Sequence, residues 1–312
     1  MRRFRFVLGR LLQTVPVLFV VLLLVFALLH LAPGDPARTL AGLKATEESV
    51  EAIREEMGLN EPLIVQYGTY VGNVFRGDLG ESTVSSKPVT TIVRQRLPVT
   101  LWLLAGGAIV GTTFALLLAG LAARRPDTWI DHIVRGISTV GLGMPVFWVG
   151  LMLILLVALP TGWFPVGGFP DGLAEQVRAM VLPSLTLGFA LAPVQIRALR
   201  SSLAQVYDSD YTMAARSIGV SETRLLWRHL LRNAALPAVT VLAVQMGSLL
   251  FGAVVVEATF ALPGLGQGLV QSVSRRDFPM VQGVTLISAV LVLTAHLLAD
   301  AAYAALDPRV EV

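Results

Sequence analysis

Apolar residues along this chain gather into six long tracts, and the charged residues cluster between them. Crossing the hydrocarbon core of a bilayer takes about 20 mostly apolar helical residues. The tracts Leu11–Leu31, Pro98–Ala123, Gly136–Pro170, Ala179–Ile196, Asn233–Val256 and Phe278–Ala299 meet or approach that length. The third is long enough for a helix plus a Gly/Pro-rich exit. The fourth is short and carries Pro183 and Pro193. Each proline removes a backbone donor that neighbouring groups must make good, so an interrupted helix packed inside the protein is expected there. The pattern predicts an all-α membrane protein with six transmembrane helices.

Arginine placement orients these spans. With a cytoplasmic N-terminus, one side collects Arg2, Arg3, Arg5, Arg10, Arg124, Arg125, Arg135, Arg197, Arg200, Arg216, Arg224, Arg228, Arg232 and Arg309. The short loops on the other side hold only Arg178, Arg275 and Arg276. Basic residues accumulate on the cytoplasmic side of membrane proteins, which puts both termini inside. The first tract exceeds the 7–15-residue core of a secretory signal, so it is expected to remain as an anchor.

Composition agrees. Of 312 residues, 54% are hydrophobic and 14% charged, against about 25% charged in soluble domains. The absence of cysteine excludes disulfides, thiolate metal sites and thiol nucleophiles. A net charge of +3 without a basic face or stripe gives no footprint for nucleic acid. The histidines His30, His132, His229 and His296 show no metal-ligand spacing, and of the ionisable residues only His30 and His296 fall within the apolar tracts, near their ends.

Three regions follow: 1–31, a cytoplasmic segment and first span; 32–97, an extracytoplasmic helical region; and 95–305, a transmembrane core with a cytoplasmic loop at 198–232. In the second region Thr46 can cap a helix beginning Glu47-Glu48, with Val50, Ile53 and Met57 on one face and Gly58 ending it. A second amphipathic stretch, Leu63–Phe75, closes at the turn residues Arg76-Gly77-Asp78. Such a region can be a helical cap on the membrane domain, a docking surface for an external binding protein, or both.

The loop at 198–232 is the most informative. Ser209 or Asp210 can cap a short helix from Tyr211 through Ile218, and Gly219 supplies the left-handed turn that stops it. Ser221 can cap a second helix, Glu222–Ala235, with Arg224, Arg228 and Arg232 at i, i+4, i+8 spacing. Ala214 and Ala215 are small enough for another body to approach closely. Periodicity alone favours an ordinary amphipathic connector whose arginines contact lipid phosphates.

The run Tyr211-Thr212-Met213-Ala214-Ala215-Arg216-Ser217-Ile218-Gly219, followed by Leu236-Pro237, resembles the E-A-A-x-x-x-G loop of binding-protein-dependent ABC importer permeases. Gly77-Asp78-Leu79-Gly80-Glu81-Ser82, Gly143-Met144-Pro145-Val146-Phe147-Trp148, Leu182-Pro183-Ser184-Leu185-Thr186 and Pro263-Gly264-Leu265-Gly266 are similar to segments of the B-type permease of dipeptide, oligopeptide and nickel importers. The likeness runs in order along nearly the whole chain.

It implies a type I ABC importer (MetI-like) permease fold in the bacterial inner membrane. Two homologous permease subunits would pair as a heterodimer; two ATPase subunits would drive them, and an extracytoplasmic binding protein would deliver peptide, with nickel, glutathione or another small solute as alternatives. Carried onto this chain, the ATPase-coupling residues are Ala214, Ala215, Arg216, Ser217, Ile218, Gly219, Val220 and Ser221. Met213 departs from the family's glutamate.

No G-x-x-x-x-G-K-[ST] phosphate loop accompanies the two lysines, Lys44 and Lys87, so the reading places ATP and Mg on the partner subunits and gives this chain no cofactor or catalytic residue. Gly264-Leu265-Gly266-Gln267-Gly268 reads as an external turn. Gln245 and Ser248, midway along the fifth span, fit helix–helix hydrogen bonding or pathway lining. Gly107 and Gly111 form a G-x-x-x-G that predicts close helix packing. An ion-coupled carrier would place charges near the bilayer midplane, and a membrane scaffold would need no ATPase; both are rival readings.

Overall fold

A computed structural model describes residues 2–31, 35–42, 45–207, 209–221 and 231–306. Among them the chain is helical, with one isolated antiparallel bridge, Glu81 to Pro88, and no strand. The first part of the helix expected at Glu222–Ala235, with Arg224, Arg228 and His229, lies outside the described residues, as do Lys44 and Arg309.

The helices are α1 (Arg2–Leu31), α2 (Pro36–Ala41), α3 (Glu47–Glu56), α4 (Leu63–Phe75), α5 (Val89–Arg124), α6 (Trp129–Gly143) and α7 (Val146–Leu153). A π-turn at Ile154–Ala158 leads to α8 (Leu159–Thr161). Then come α9 (Leu173–Tyr207), α10 (Asp210–Ser217), α11 (Leu231–Val244), α12 (Met246–Thr259), α13 (Leu265–Ser274) and α14 (Phe278–Leu306).

Among the described residues three helices are long and apolar enough to cross a membrane: Val89–Arg124, Leu173–Tyr207 and Phe278–Ala302. Two bent pairs raise the number to five if each is one span, and Leu12–Ala27 of α1 is a shorter apolar stretch where the first span was expected. The expected third span is the larger surprise. It is broken by 105° between Gly143 and Val146, because Pro145 lacks a backbone donor and forces the preceding Met144 into an extended conformation (φ −82°, ψ 122°). The expected fifth span bends by 61° at Gln245, beside the Gly247-Ser248 pair. The expected fourth span is not interrupted. Pro183 and Pro193 both lie inside continuous α9 and are buried there.

The chain divides into two compact units. The larger holds 99–263 with both chain ends, and α9 is its axis. Of the most apolar stretch of α9, 72% lies inside the protein, against 28% for α5. Helices α6, α7, α11 and α12 pack around it. Glycines let α5 approach: a Cβ on Gly107 would stand 2.7 Å from Leu187, and one on Gly111 2.9 Å from the Gly188 carbonyl oxygen. Gly188 is equally tight against Val110 and the Gly111 nitrogen. Phe114 and Phe189 stack between the same helices with centroids 5.2 Å apart.

The second unit holds Leu8–Pro98 and Gly264–Leu293, so the first helix and the 32–97 region fall together with a segment distant in sequence. Asp35 accepts from the Ala37 N–H to cap α2, and Thr46 accepts from the Ser49 N–H to cap α3. Arg54 binds Asp35 and Glu51, and the Asp35 carboxylate raises the Arg54 pKa. Helix α4 lies along α1, where Tyr67 donates to the Phe19 carbonyl at 3.2 Å and Phe26 meets the Tyr67 ring edge-on. Val89, Val93, Leu265, Met280 and Val284 form the unit's buried apolar cluster. The Gly-rich patch expected as a turn instead opens α13, where Gly268 packs on Arg96 and Arg96 donates to the Gly264 carbonyl.

Gly188→Ala is expected to destabilise the chain by about 1–3 kcal/mol, because the added methyl meets backbone that cannot yield. Gly120→Ala, with open space around its Cβ, should be neutral or stabilising by about 0.5–1 kcal/mol. Thermal unfolding of the two variants in detergent checks the contrast.

Candidate functional site

The predicted coupling loop begins where α9 ends. The Val206 carbonyl accepts from the Ser209 hydroxyl at 2.5 Å and the Thr212 hydroxyl at 2.7 Å. Thr212 is fully buried. The Ser209 carbonyl accepts from the Thr212 and Met213 N–H groups, so Ser209 does stand at the start of α10. Its hydroxyl, however, turns back to α9 rather than forward to cap α10. The short helix is thereby clasped to the end of the long one.

Its other face is open. Ala214, Ser217 and Gly219 are exposed, Met213 is 55% exposed and Ile218 80%. Ala215 and Arg216 lie within α10. Gly219 adopts φ 84°, the left-handed conformation that ends the helix where the sequence places it. Val220 is half-buried against the apolar cluster that includes Leu199, Leu203 and Tyr207, and Ser221 is exposed. The loop is thus a short helix with a seated floor and an apolar outer rim. Large apolar side chains held out in this way mark contact surfaces.

Two turns before the end of α9 stands an ion cluster. Asp131 of α6 is fully buried. Arg200 grips it with both Nε and Nη2, the latter at 2.6 Å, and Arg135 also donates to it. Arg135 further reaches Asp127 at 2.7 Å, and the Asp127 N–H donates to Asp131 at 3.1 Å. The i, i+4 spacing of Asp131 and Arg135 is visible in the sequence. Its link to Arg200, 69 residues away, is not.

Two further buried carboxylates were also missed. Glu257 was placed just past the end of its span, but it lies inside α12, fully buried, accepting from the Thr100 hydroxyl at 2.6 Å. This corrects the expectation that apolar tracts hold only histidines among ionisable residues. Asp277 accepts from the Ser82 hydroxyl at 2.5 Å and the Thr83 N–H at 3.1 Å. Gln245 sits at the 61° bend, and its buried Nε2 meets no acceptor. Ser248 is exposed. Among the described residues no group of three His, Asp or Glu side chains could hold a metal ion.

The model of the family described as "Binding-protein-dependent transport system inner membrane component" matches residues 111–312, and the model of its N-terminal region matches residues 3–104. The chain belongs to this family. A permease of this kind is a transport subunit and not an enzyme. The glutathione transport system permease protein GsiC of Escherichia coli (strain K12) is 39% identical over 305 residues, covering 98% of both chains, and GsiC of Salmonella typhi gives the same figures. A chain of the MetNI methionine ABC transporter, in an inward facing conformation, superposes with a TM-score of 0.57 at 17% identity, covering 69% of this permease and 96% of that chain. An amino acid ABC transporter gives 0.51 at 19% identity, with 69% and 94% covered. The fold is therefore the all-α, MetI-like permease fold of ABC importers.

Thr100→Val removes one donor from the buried Glu257 carboxylate of this permease. A cost of about 1–3 kcal/mol is expected, read as a lower unfolding temperature in detergent, whereas Thr100→Ser should retain most of the stability.

Proposed function

We propose that this chain forms half of the translocation pathway of an ATP-driven importer for short peptides, with glutathione the first candidate. The observation that carries the reading is the end-to-end 39% identity to permeases named for glutathione transport. Glutathione is itself a tripeptide, so that cargo falls inside the class the sequence suggested. The apolar, largely uncharged spans suit a conduit whose selectivity is held by a separate binding protein outside the membrane.

The chain lies in the bacterial inner membrane with both termini in the cytoplasm, paired with a second, homologous permease. Two ATPase subunits bind the nucleotide and Mg, in keeping with the missing phosphate loop. Ala214, Ala215, Arg216, Ser217, Ile218, Gly219, Val220 and Ser221 form the element that seats in a groove of one ATPase. The exposed rim of Met213 and Ile218 supports this role, and with methionine in place of glutamate the docking is apolar at that point. Ligand-driven movement can be no larger than the difference in binding free energy between two states, so the ATPase must grip this element differently before and after closure. The buried Gln245 Nε2, without an acceptor at a helix bend, supports pathway lining as its role.

Purification of the tagged chain in mild detergent should recover a homologous permease, ATPase subunits and a binding protein. Proteoliposomes carrying that complex should take up radiolabelled glutathione or tri-alanine only with ATP inside the ATPase compartment. Uptake driven by a proton gradient without ATP would overturn the proposal in favour of an ion-coupled carrier, for which buried Glu257 would be the suspect residue. Nickel uptake alone would overturn the cargo. Ile218→Asp should release the ATPase during purification while shifting the stability of the isolated chain by no more than about 0.5 kcal/mol, as for exposed sites generally.

A further inference from the structure

We infer that Asp131 and Arg200 are positioning residues that carry movement of α10 into α6, so that ATP use and substrate movement stay coupled through one buried ion pair. The inference rests on the reading of α10 as the ATPase-docking element.

The chain of contacts is continuous. Helix α10 cannot shift without α9, because the Ser209 and Thr212 hydroxyls both hold the Val206 carbonyl and Thr212 is fully buried. Helix α9 in turn cannot slide along α6 without breaking the two-pronged grip of Arg200 on Asp131. A fork of two parallel N–H donors on one carboxylate fixes direction as well as distance, which a single contact or an apolar patch does not. Arg135 and the Asp127 N–H hold the same carboxylate, so the turn between α5 and α6 moves with it.

Elsewhere α6 meets α9 by packing: Val134 shares a buried cluster with Ile196, Leu199 and Leu203, and near the end of α6 the contact is close. Gly141 lies so close to Pro193 that a Cβ there would stand 2.8 Å from the proline ring. It has no directional bond, so it permits rotation. Ten residues of helix, about 15 Å, separate this point from Asp131. Helix α6 is therefore gripped directionally at one end and held by packing alone towards the other, and immediately beyond Gly141 the chain turns by 105° into α7. A push on α10 arrives at α7 as a rotation. An apolar contact of similar volume would hold the two helices together at least as well, so stability alone gives no reason to bury a carboxylate here.

The chain has no cysteine, which allows a clean test. Asp131→Cys with Arg200→Cys is introduced into the complex purified with its own partners and reconstituted in proteoliposomes. Glutathione taken up per ATP hydrolysed is then measured before and after bridging the two thiols with a short bis-maleimide. In the unbridged state the ratio should fall about tenfold with ATP hydrolysis retained, and bridging should restore it, as expected where a coupling free energy has been removed and replaced. Arg200→Lys, which keeps the charge but loses the fork, should give an intermediate ratio. An unchanged ratio in the unbridged variant, or no recovery on bridging, overturns the inference. So does failure of every variant to assemble, which would make the pair a folding element alone. A wild-type complex that hydrolyses ATP without moving substrate, or recovers no ATPase, would instead sink the functional reading itself.

Discussion

Apolar side chains gain little by leaving lipid for one another, so helices in a bilayer associate through close packing and polar contacts rather than hydrophobic burial. In this permease that requirement falls on α9. Its approach to α5 depends on three glycines, Gly107, Gly111 and Gly188, whose missing side chains bring backbone against backbone. The remaining spans of the larger unit collect around the axis so formed. Gly252 of α12 sits 3.0 Å from Leu187, and Gly150 of α7 sits 3.1 Å from Phe260 and 3.4 Å from Thr186, taking each distance from the position of an added Cβ.

The same axis explains why prolines act differently along the chain. Pro145 has no tight packing on the adjacent Gly143, whose Cβ position faces open space, and the helix breaks there. Pro183 and Pro193 are held on several sides by neighbouring helices. Breaking α9 at either would expose further backbone groups with no water to receive them. Continuity is therefore the cheaper state despite two lost donors. The local preference of proline is the same in all three places, and the surroundings decide its effect.

Much of this was legible in the sequence, for identifiable reasons. The caps of α3, the bounds of α4, the turn at Gly219 and the tight packing of Gly107 and Gly111 each depend on residues within a few positions of one another. The buried polar pairs were not legible, because Thr100 and Glu257, Ser82 and Asp277, and Asp131 and Arg200 are joined only by the folded chain. Arginine counting illustrates the gap. Arg135 and Arg200 were read as basic residues at a membrane surface, which fits the orientation they suggest, yet both also bind one fully buried carboxylate. Likewise the 105° break needed more than a hydropathy profile, since the apolar tract continues across it without a change in composition.

The exposed element and the buried pair impose opposite demands on one short stretch of chain. At the end of α9 the inner side chains of this stretch are held, through the Thr212 hydroxyl and the packing of Val220 against the buried apolar cluster that α9 shares. The outer side chains, Met213 and Ile218, are exposed. A loop free to flex would absorb any force applied at that rim. One clasped to a buried helix passes the force on, and the cost of holding it is met by hydrogen bonds to a carbonyl at the end of α9, where helix carbonyls lack partners in any case. The exposed element is therefore stiff because the helix end it rests on already needed the donors that it brings.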